Sequence, residues 1–464
     1  MKDKNQVVYK SFEDLCENHY NEYMIPEQFE SQYPDITRAD EISKIVGYIK
    51  EGSSCQVVGI PGVSRSTLLG LFAYNKRIRQ KHLGASEKKT HFILVDFSEI
   101  RNRDLFDAMT YLFLNLTESL RERGMMEENK VVGDKFREHL QFNDELVLFQ
   151  GFKEAIDYMA LEKKITMVFL FDRFEEYVPT VTSQFFANLR ILRNRAKYHF
   201  SIVFSVNRPL ENLLEPTLLA EYYEFVAGRI VYLPLHDEAL SNFRLSYIEK
   251  ITGKKLPPPI LKELFALTDG HGKVTKLSVE ALLANGIPEQ LSEFLLLQKI
   301  VKAALNEIWR SLSPAEQAEL LEAKFEDQDV DEYLEKVGLI HDKKIQIPLF
   351  AQFISSEYRE AAKTTQKIVY DENTNEIRKG TIVLSDQLTS SEFRLLRFLL
   401  QNQERIIERD ELIGVVWQGN KSTAGITDQA VDQLIFRLRR KIEEDPNNPL
   451  HLQTVKGRGF KFVN

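Results

Sequence analysis

Cysteine is scarce in this sequence of 464 residues, which contains only Cys16 and Cys55. Two cysteines are too few for a disulfide framework or a structural zinc site, so both are excluded and a reducing compartment is indicated. Long apolar runs are missing as well, and the amino terminus is polar and has no apolar signal core. These absences predict a cytoplasmic protein that does not contact a membrane.

An excess of basic residues is also absent. The 61 Lys and Arg face 69 Asp and Glu, which gives a formal net charge of −8 at pH 7. Any contact with nucleic acid must therefore come from a local basic patch. The rest of the composition, with 43% hydrophobic and 28% charged residues, is that of ordinary folded protein, and the length allows roughly two to four domains.

Short apolar runs alternate with helical patterns in the first half of the chain. The predicted strands are 56–59, 92–97, 165–171 and 201–206, and the predicted helices include 66–79, 105–123, 144–161 and 182–196. This alternation predicts an α/β fold with a parallel sheet that helices cover on both faces. The predicted domains are a lead-in (1–30), an α/β core (31–233), a helical lid (234–294), a small winged-helix-like domain (295–365) and a C-terminal domain (366–464).

A glycine turn follows the first predicted strand and precedes an apolar helix. Residues 59–66 lie where the pattern G-x-x-x-x-G-K-[ST] of a phosphate-binding loop would lie. Gly59 and Ser66 match it, whereas Ser64 replaces the second glycine and Arg65 replaces the lysine. The plain alternative is a strand–turn–helix corner that needs glycine only for packing. Because the planar fork of Arg differs from a compact ammonium, we predict weak or no ATPase activity.

Acidic residues at the end of the third predicted strand form the second half of this candidate site. Asp172 ends a buried strand, where a carboxylate suits Mg²⁺, and the Ser66 hydroxyl is the other predicted metal ligand. Glu175 and Glu176 could activate water, so Asp172, Glu175 and Glu176 are the candidate catalytic residues. The alternative is that both glutamates lie in a solvated first helical turn, which the helix dipole favours.

The segment from about 30 to 360 resembles the AAA-like and STAND families of P-loop ATPases, including their origin-recognition-like relatives. Besides the glycine turn, the resemblance rests on 228–235 as a connection into a lid, on the glycine–histidine turn 268–272, and on 312–350 as a small winged helix. It implies ATP or ADP with Mg²⁺ as cofactor. The implied nucleotide-binding residues are Gly59, Gly62, Ser64, Arg65, Ser66, Thr67, Asn207, Arg208 and His271. The alternative for Asn207 and Arg208 is that they only cap the fourth strand.

The C-terminal segment resembles the winged-helix effector domain of OmpR/PhoB-type response regulators. Residues 388–396 match its first helix, with Thr389 and Glu392 forming a capping box, 430–442 match its recognition helix and 454–460 match its wing. The resemblance implies an α+β winged helix-turn-helix domain that binds double-stranded DNA.

Periodicity in the predicted recognition helix leads to the same expectation. Val431, Ile435, Leu438 and Ile442 form one apolar stripe, and the other face is polar and locally basic. The candidate DNA-binding residues are Gln429, Gln433, Phe436, Arg437, Arg439, Arg440, Lys456 and Arg458. The alternative is that the basic run is a solvated helix end. Phe436 is unusual on a polar face and indicates either contact with a thymine methyl group or a protein interface.

Together these patterns predict a transcriptional regulator in which a nucleotide-sensing module controls a winged helix on double-stranded DNA, with homo-oligomerisation expected. Two alternatives remain open. One is a degenerate ATPase-like scaffold whose winged helix binds a protein partner in a defence or mobile-element complex. The other is a DNA-dependent ATPase.

Overall fold

The computed structural model describes residues 28–322, 331–359, 368–372, 375–379, 382–385, 388–416, 428–443, 446 and 449–463. The chain divides into two compact units, Met1–Ala351 and Gln352–Asn464. The predicted lead-in lies almost entirely outside the described residues, and so does the predicted boundary between 365 and 366. Within the described ranges, every helix is too short or too polar to cross a membrane.

The first unit is built on a five-stranded parallel sheet. Its strands are β1 (Cys55–Val58), β2 (Thr90–Asp96), β3 (Thr166–Asp172), β4 (Phe200–Val206) and β5 (Ile230–Tyr232), which lie side by side in the order β2-β3-β4-β1-β5. Every residue of β1 and β4 is buried, as expected for strands covered on both faces. The parallel sheet and its first four strands are therefore confirmed.

Helices connect and cover these strands. They are α1 (Ala39–Lys50), α2 (Arg65–Tyr74), α3 (Lys76–Leu83), α4 (Leu105–Glu122), α5 (Met126–Leu140), α6 (Glu145–Asp157), α7 (Ser183–Ala196) and the short α8 (Leu210–Leu213), α9 (Pro216–Leu219) and α10 (Tyr223–Val226). The crossover from β1 leads to β2 at one edge of the sheet, and the crossover from β4 leads to β5 at the opposite edge. The carboxyl end of β1 therefore lies at a topological switch point, where open α/β sheets bind ligands.

One local prediction is wrong. The single helix predicted over 66–79 is two helices, because the buried Asn75 caps the second of them by accepting a hydrogen bond from the Ile78 N–H at 3.1 Å. Its amide also donates to the Tyr33 carbonyl at 3.1 Å, so the break is fixed by a distant segment. The predicted connection 228–235 does lead into the helical region, and it contains β5, which pairs with β1 from Gln56 to Val58.

A helical region and a small mixed region complete the first unit. The helices α11 (Glu238–Thr252), α12 (Pro258–Thr268) and α13 (Gly272–Asn285) confirm the predicted lid as helical. Behind them lie α14 (Leu291–Leu297), α15 (Lys299–Ser311), α16 (Pro314–Glu322), α17 (Glu332–Lys336), the hairpin of β6 (Ile340–His341) and β7 (Lys344–Ile345), and α18 (Pro348–Ile354), which reaches the boundary between the units. Helices followed by a hairpin are the arrangement predicted for this region.

Beyond residue 367, the described residues of the second unit form two small antiparallel sheets and three helices. The first sheet contains β8 (Ile368–Asp371), β9 (Glu376–Lys379) and β10 (Ile382–Val383), and the second contains β11 (Ile406–Ile407), β12 (Leu452–Val455) and β13 (Gly459–Phe462). The helices are α19 (Ser390–Gln401), α20 (Arg409–Val416) and α21 (Asp428–Ile442). The predicted capping box is confirmed: the Thr389 hydroxyl accepts from the Glu392 N–H at 3.4 Å, and the Glu392 carboxylate accepts from the Thr389 N–H at 2.8 Å. The fold is thus a parallel α/β core followed by an α+β winged-helix domain.

Candidate nucleotide site and candidate DNA interface

The glycine turn between β1 and α2 forms the floor of the candidate nucleotide site. Gly62 has a φ of +91°, and a Cβ at this position would lie 2.6 Å from Cε1 of His271, so both backbone conformation and space require glycine. Ser64 has a φ of 74°, although it occupies the position of the second glycine of the phosphate-loop pattern. A serine in this conformation costs about 1 kcal/mol or more. The chain therefore keeps the left-handed turn without the glycine that would favour it.

A cleft of about 970 Å³ opens above this turn, a volume that suits a small organic ligand. Residues from the turn and the start of α2, from the segment after β3, from α11 and from α13 line it, including Gly62, Ser64, Arg65, Ser66, Thr67, Glu175, Glu176, Tyr247 and Lys273. The structure thus brings five of the predicted nucleotide-binding residues to one cleft. The predicted residues Gly59, Asp172, Asn207, Arg208 and His271 lie outside its described lining.

Arg65, at the position of the phosphate-loop lysine, is paired inside the protein. Its Nη2 lies 2.6 Å from Oε1 of Glu175, and the two side chains are only 12% and 18% exposed. The other terminal nitrogen of Arg65 and the other oxygen of Glu175 are buried and have no hydrogen-bond partner among the described residues. Glu175, predicted as a catalytic carboxylate, is therefore the counterion of Arg65. The unpartnered Arg65 nitrogen is a cationic donor that a phosphate oxygen could satisfy.

Arg244 of α11 is a site residue that the sequence analysis missed. Its guanidinium donates to the Ser64 hydroxyl at 3.0 Å, to the Thr67 hydroxyl at 2.9 Å and to the Tyr33 hydroxyl at 2.9 Å. All three acceptors are neutral, so among the described contacts the charge of Arg244 has no acidic partner. No motif marks an arginine within a lid helix, and only the fold brings it to the turn. Arg244 places a second cation at the cleft, beside Arg65.

Asp172 and Ser66 lie together at the carboxyl edge of the sheet. Burial raises the pKa of the Asp172 carboxyl, while a hydrogen bond with Ser66 and the charge of Arg65 act in the opposite direction. The Ser205 hydroxyl also donates to Asp172, at 3.2 Å. A carboxylate beside a serine hydroxyl is a donor set that fits Mg²⁺ when phosphate oxygens complete the coordination. Glu176, in contrast, forms an ion pair with Arg101.

Arg208 follows β4 but contacts the small mixed region instead of the cleft. Its two terminal nitrogens donate to the two oxygens of Glu316, one of them at 2.7 Å, and the guanidinium lies 4.4 Å from the centre of the Tyr333 ring. The Tyr333 hydroxyl donates to the Asn207 carbonyl at 2.6 Å. Both predicted phosphate-sensing residues are thus held by α16 and α17.

His271 connects the lid to the glycine turn. Its Nδ1 accepts a hydrogen bond from the Val274 N–H at 3.3 Å and caps α13, which places the proton on Nε2 for donation to the Pro61 carbonyl at 3.0 Å. Complete burial lowers the pKa of the imidazole to about 4, so the neutral form is present at pH 7. His271 is therefore a neutral connector beneath the cleft.

The candidate DNA interface is the exposed face of α21. Val431, Ile435, Leu438 and Ile442 are all buried, which confirms the predicted apolar stripe. The exposed face is defined by Asp432, Gln433, Phe436, Arg437 and Arg440. The side chain of Gln429 lies outside the described residues. Arg439 points elsewhere, since it donates to the Leu452 carbonyl and to the Thr454 hydroxyl, each at 2.8 Å. It therefore fixes the helix to β12.

The turn between β12 and β13 carries the other predicted cations. Lys456 and Arg458 are both exposed. Gly459 has a φ of +129°, and a Cβ there would lie 2.1 Å from the Ile407 carbonyl oxygen, so this turn requires glycine. The second unit thus exposes cations on α21 and on the β12–β13 hairpin, and Arg439 connects this helix to this hairpin.

Part of the second unit is similar to known transcriptional regulatory proteins. Residues 386–462 match the family model "Transcriptional regulatory protein, C terminal". The sensory transduction protein RegX3 of Mycolicibacterium smegmatis is 46% identical over 75 residues, which are 16% of this chain and 32% of RegX3. The chain thus spans about a third of the length of this curated relative. Residues 386–462 of the second unit are therefore similar to the C-terminal domain of transcriptional regulatory proteins.

Solved structures resemble each unit separately. The DNA-binding domain of Klebsiella pneumoniae RstA, in complex with the RstA box, is 26% identical to this chain. The match spans 21% of this chain and 90% of the RstA domain, with a TM-score of 0.18. A Walker-type ATPase of Pyrococcus abyssi is 15% identical to this chain. The match spans 71% of this chain and 97% of the ATPase chain, with a TM-score of 0.45.

Proposed function

We propose that this chain is a transcriptional regulator that binds specific double-stranded DNA through α21 and the β12–β13 turn, under the control of its ATPase-like unit. The observation that carries the proposal is the exposed face of α21, which combines Gln433 with Arg437 and Arg440 above a fully buried stripe. Guanidinium and amide groups on a helix read base edges in the major groove, and cations on a neighbouring hairpin contact phosphates.

The test is enrichment of fragmented genomic DNA by the full-length protein at a fixed physiological salt concentration, followed by sequencing. We expect a recurring site that the Arg437→Ala/Arg440→Ala variant fails to enrich. The matched control is Arg378→Ala, which removes an exposed cation of β9 whose partner is Glu376. No enrichment, or equal enrichment by the double variant, would contradict sequence-specific binding by this face and favour the scaffold alternative.

Control by a nucleotide is the second part of the proposal. What supports it is the cleft over the glycine turn, with the unpartnered nitrogen of Arg65 and the guanidinium of Arg244 beside it. Ser66 and Asp172 would hold Mg²⁺. The phosphates of the bound nucleotide would compete with the Ser64 and Thr67 hydroxyls for Arg244 and so change how α11 contacts the turn. Gentle purification followed by denaturing extraction should release ATP or ADP. A protein that neither carries nor binds nucleotide would contradict this control and leave the DNA proposal intact.

Oligomerisation belongs to the same proposal, because two winged helices on neighbouring half-sites add their binding free energies. Light scattering with and without the enriched site measures it. For the DNA-dependent ATPase alternative, steady-state turnover that Asp172→Ala abolishes would be required. The pairing of Glu175 with Arg65 leads us to expect no such turnover.

A further inference from the structure

One apolar ring interrupts the polar face of α21. Phe436 is 48% exposed, although the helix buries its other large apolar side chains, Val431, Leu434, Ile435, Leu438 and Ile442, almost completely. The fold of the unit therefore does not use the exposed half of this ring for packing. A single exposed apolar side chain is common on a protein surface, so the exposure alone indicates nothing. What makes this ring informative is its place in the middle of the proposed DNA-binding face.

The surroundings of Phe436 indicate the kind of partner. On the exposed face, Asp432 and Gln433 lie one helical turn before the ring, and Arg440 lies one turn after it. Arg437 is the next residue in the chain and is exposed as well. A protein interface of ordinary size has a contiguous apolar centre, and charged residues are depleted there. A single ring enclosed by charged and amide side chains lacks such a centre, which disfavours a protein partner at this face.

The ring is also held in a fixed position. Arg439 fastens the helix to β12 through two hydrogen bonds, and Lys441 forms an ion pair with the buried Glu392 of α19 at 2.6 Å. On the exposed face, the Asp432 carboxylate is paired with Arg409 of α20 at 2.7 Å, so its charge next to the ring is neutralised. A helix fixed in this way presents Phe436 at one constant place relative to Gln433 and Arg437.

We propose that Phe436 is a specificity-determining residue that contacts the 5-methyl group of a thymine in the major groove. This inference rests on the proposed DNA binding by α21. The major-groove edges of all four base pairs are hydrogen-bonding groups except for the thymine methyl, which is the apolar group that a phenyl ring can select. Gln433 and Arg437, which flank the ring, supply the hydrogen bonds to the neighbouring bases.

The experiment uses the site obtained by enrichment with the full-length protein. Each thymine of the site is replaced singly by uracil, which removes one methyl group and leaves all hydrogen-bonding groups in place, and affinities are measured by fluorescence anisotropy at one salt concentration. We expect one or two positions at which uracil weakens wild-type binding about fourfold, the factor that corresponds to burial of one methyl group. Phe436→Ala should bind the thymine and uracil duplexes equally and match the weakened wild type.

The matched control is Arg440→Ala, which alters the same face but not the ring. It should weaken binding to all duplexes by a common factor and keep the preference for thymine. Thermal unfolding of Phe436→Ala should show at most a small loss of stability, since only about half of the ring is buried. A Phe436→Ala variant that still discriminates thymine from uracil, or a wild type indifferent to uracil at every position, overturns the inference while the enriched site stands. Failure to enrich any site overturns the proposed DNA binding and this inference with it.

Discussion

Replacing Glu175 with Gln is the sharpest test of the candidate nucleotide site. In the structure, Glu175 holds Arg65 at 2.6 Å, in a pair that is mostly shielded from water. A nucleotide phosphate that bonds to the unpartnered nitrogen of Arg65 shares the guanidinium with this carboxylate, whose negative charge opposes phosphate binding. Gln has nearly the same shape, and its amide oxygen still accepts a hydrogen bond, but the negative charge is gone. The substitution therefore removes the opposing charge without opening a cavity.

The expected size follows from the difference between two kinds of hydrogen bond. A hydrogen bond to a charged group contributes about 1.5 to 3 kcal/mol, whereas a neutral one contributes about 0.5 to 1.5 kcal/mol. Their difference of about 1.5 kcal/mol corresponds to roughly a tenfold change in a binding constant. We therefore expect Glu175→Gln to bind ATP and ADP about tenfold more tightly than the wild type.

Calorimetric titration of the full-length protein with Mg²⁺-nucleotide measures this change. The control is Glu176→Gln, which removes the neighbouring carboxylate, paired with Arg101 instead of Arg65, and should leave affinity within about twofold. Unchanged or weaker binding in Glu175→Gln would refute this opposition. Loss of measurable ATP turnover at unchanged affinity would instead make Glu175 the water-activating group.

Three further predictions concern the contacts around the cleft. Removing one partner of a largely buried ion pair costs about 3 kcal/mol, so Glu316→Ala, which leaves Arg208 unpaired, should clearly lower the melting temperature of the protein. The double variant Glu316→Ala/Arg208→Ala should lose less stability than the sum of the losses in the two single variants. Gly62→Ala should destabilise by about 3 kcal/mol in urea unfolding, because it adds a strained φ and a contact with His271. The pKa of His271 falls from 6.5 to about 4 on folding, so its stabilising effect is complete above pH 6.5 and declines as the pH falls toward 4. His271→Asn keeps a helix-capping side chain and should flatten that decline in urea unfolding at several pH values.

The fold was predictable where local sequence determines structure. The buried strands β1, β3 and β4 are nearly continuous apolar runs, and such runs form strands in a sheet covered on both faces. The capping box of α19 lies within four residues of sequence, and the apolar stripe of α21 follows helical periodicity. The break at Asn75 was not predictable, since the groups that its amide contacts lie more than 40 residues earlier in the chain.

The candidate site was predictable only in part, for the same reason. The glycine turn is a continuous segment and was found from its pattern. The partner of Arg65 lies 110 residues away in sequence, and Arg244 lies 180 residues from Ser64. Both partners reach the turn through the crossover connections of the sheet and the packing of the lid, which no local pattern encodes. The sequence thus predicts which turn forms the floor of the candidate site, but not which charges are already neutralised there.

The contacts of the glycine turn explain how binding at the cleft could be transmitted within the first unit. Arg244 of α11 contacts the turn through the Ser64 and Thr67 hydroxyls, and His271 at the start of α13 contacts it through the Pro61 carbonyl. A phosphate group that draws in Arg65 or Arg244 must therefore change the contacts that hold the lid helices. Ligand binding and lid position are then one equilibrium, and a ligand can shift it only by as much as its affinities for the two lid positions differ. If the proposed nucleotide control holds, its strength would be set at Arg244, where a cation now bonded to neutral hydroxyls would exchange them for phosphate oxygens.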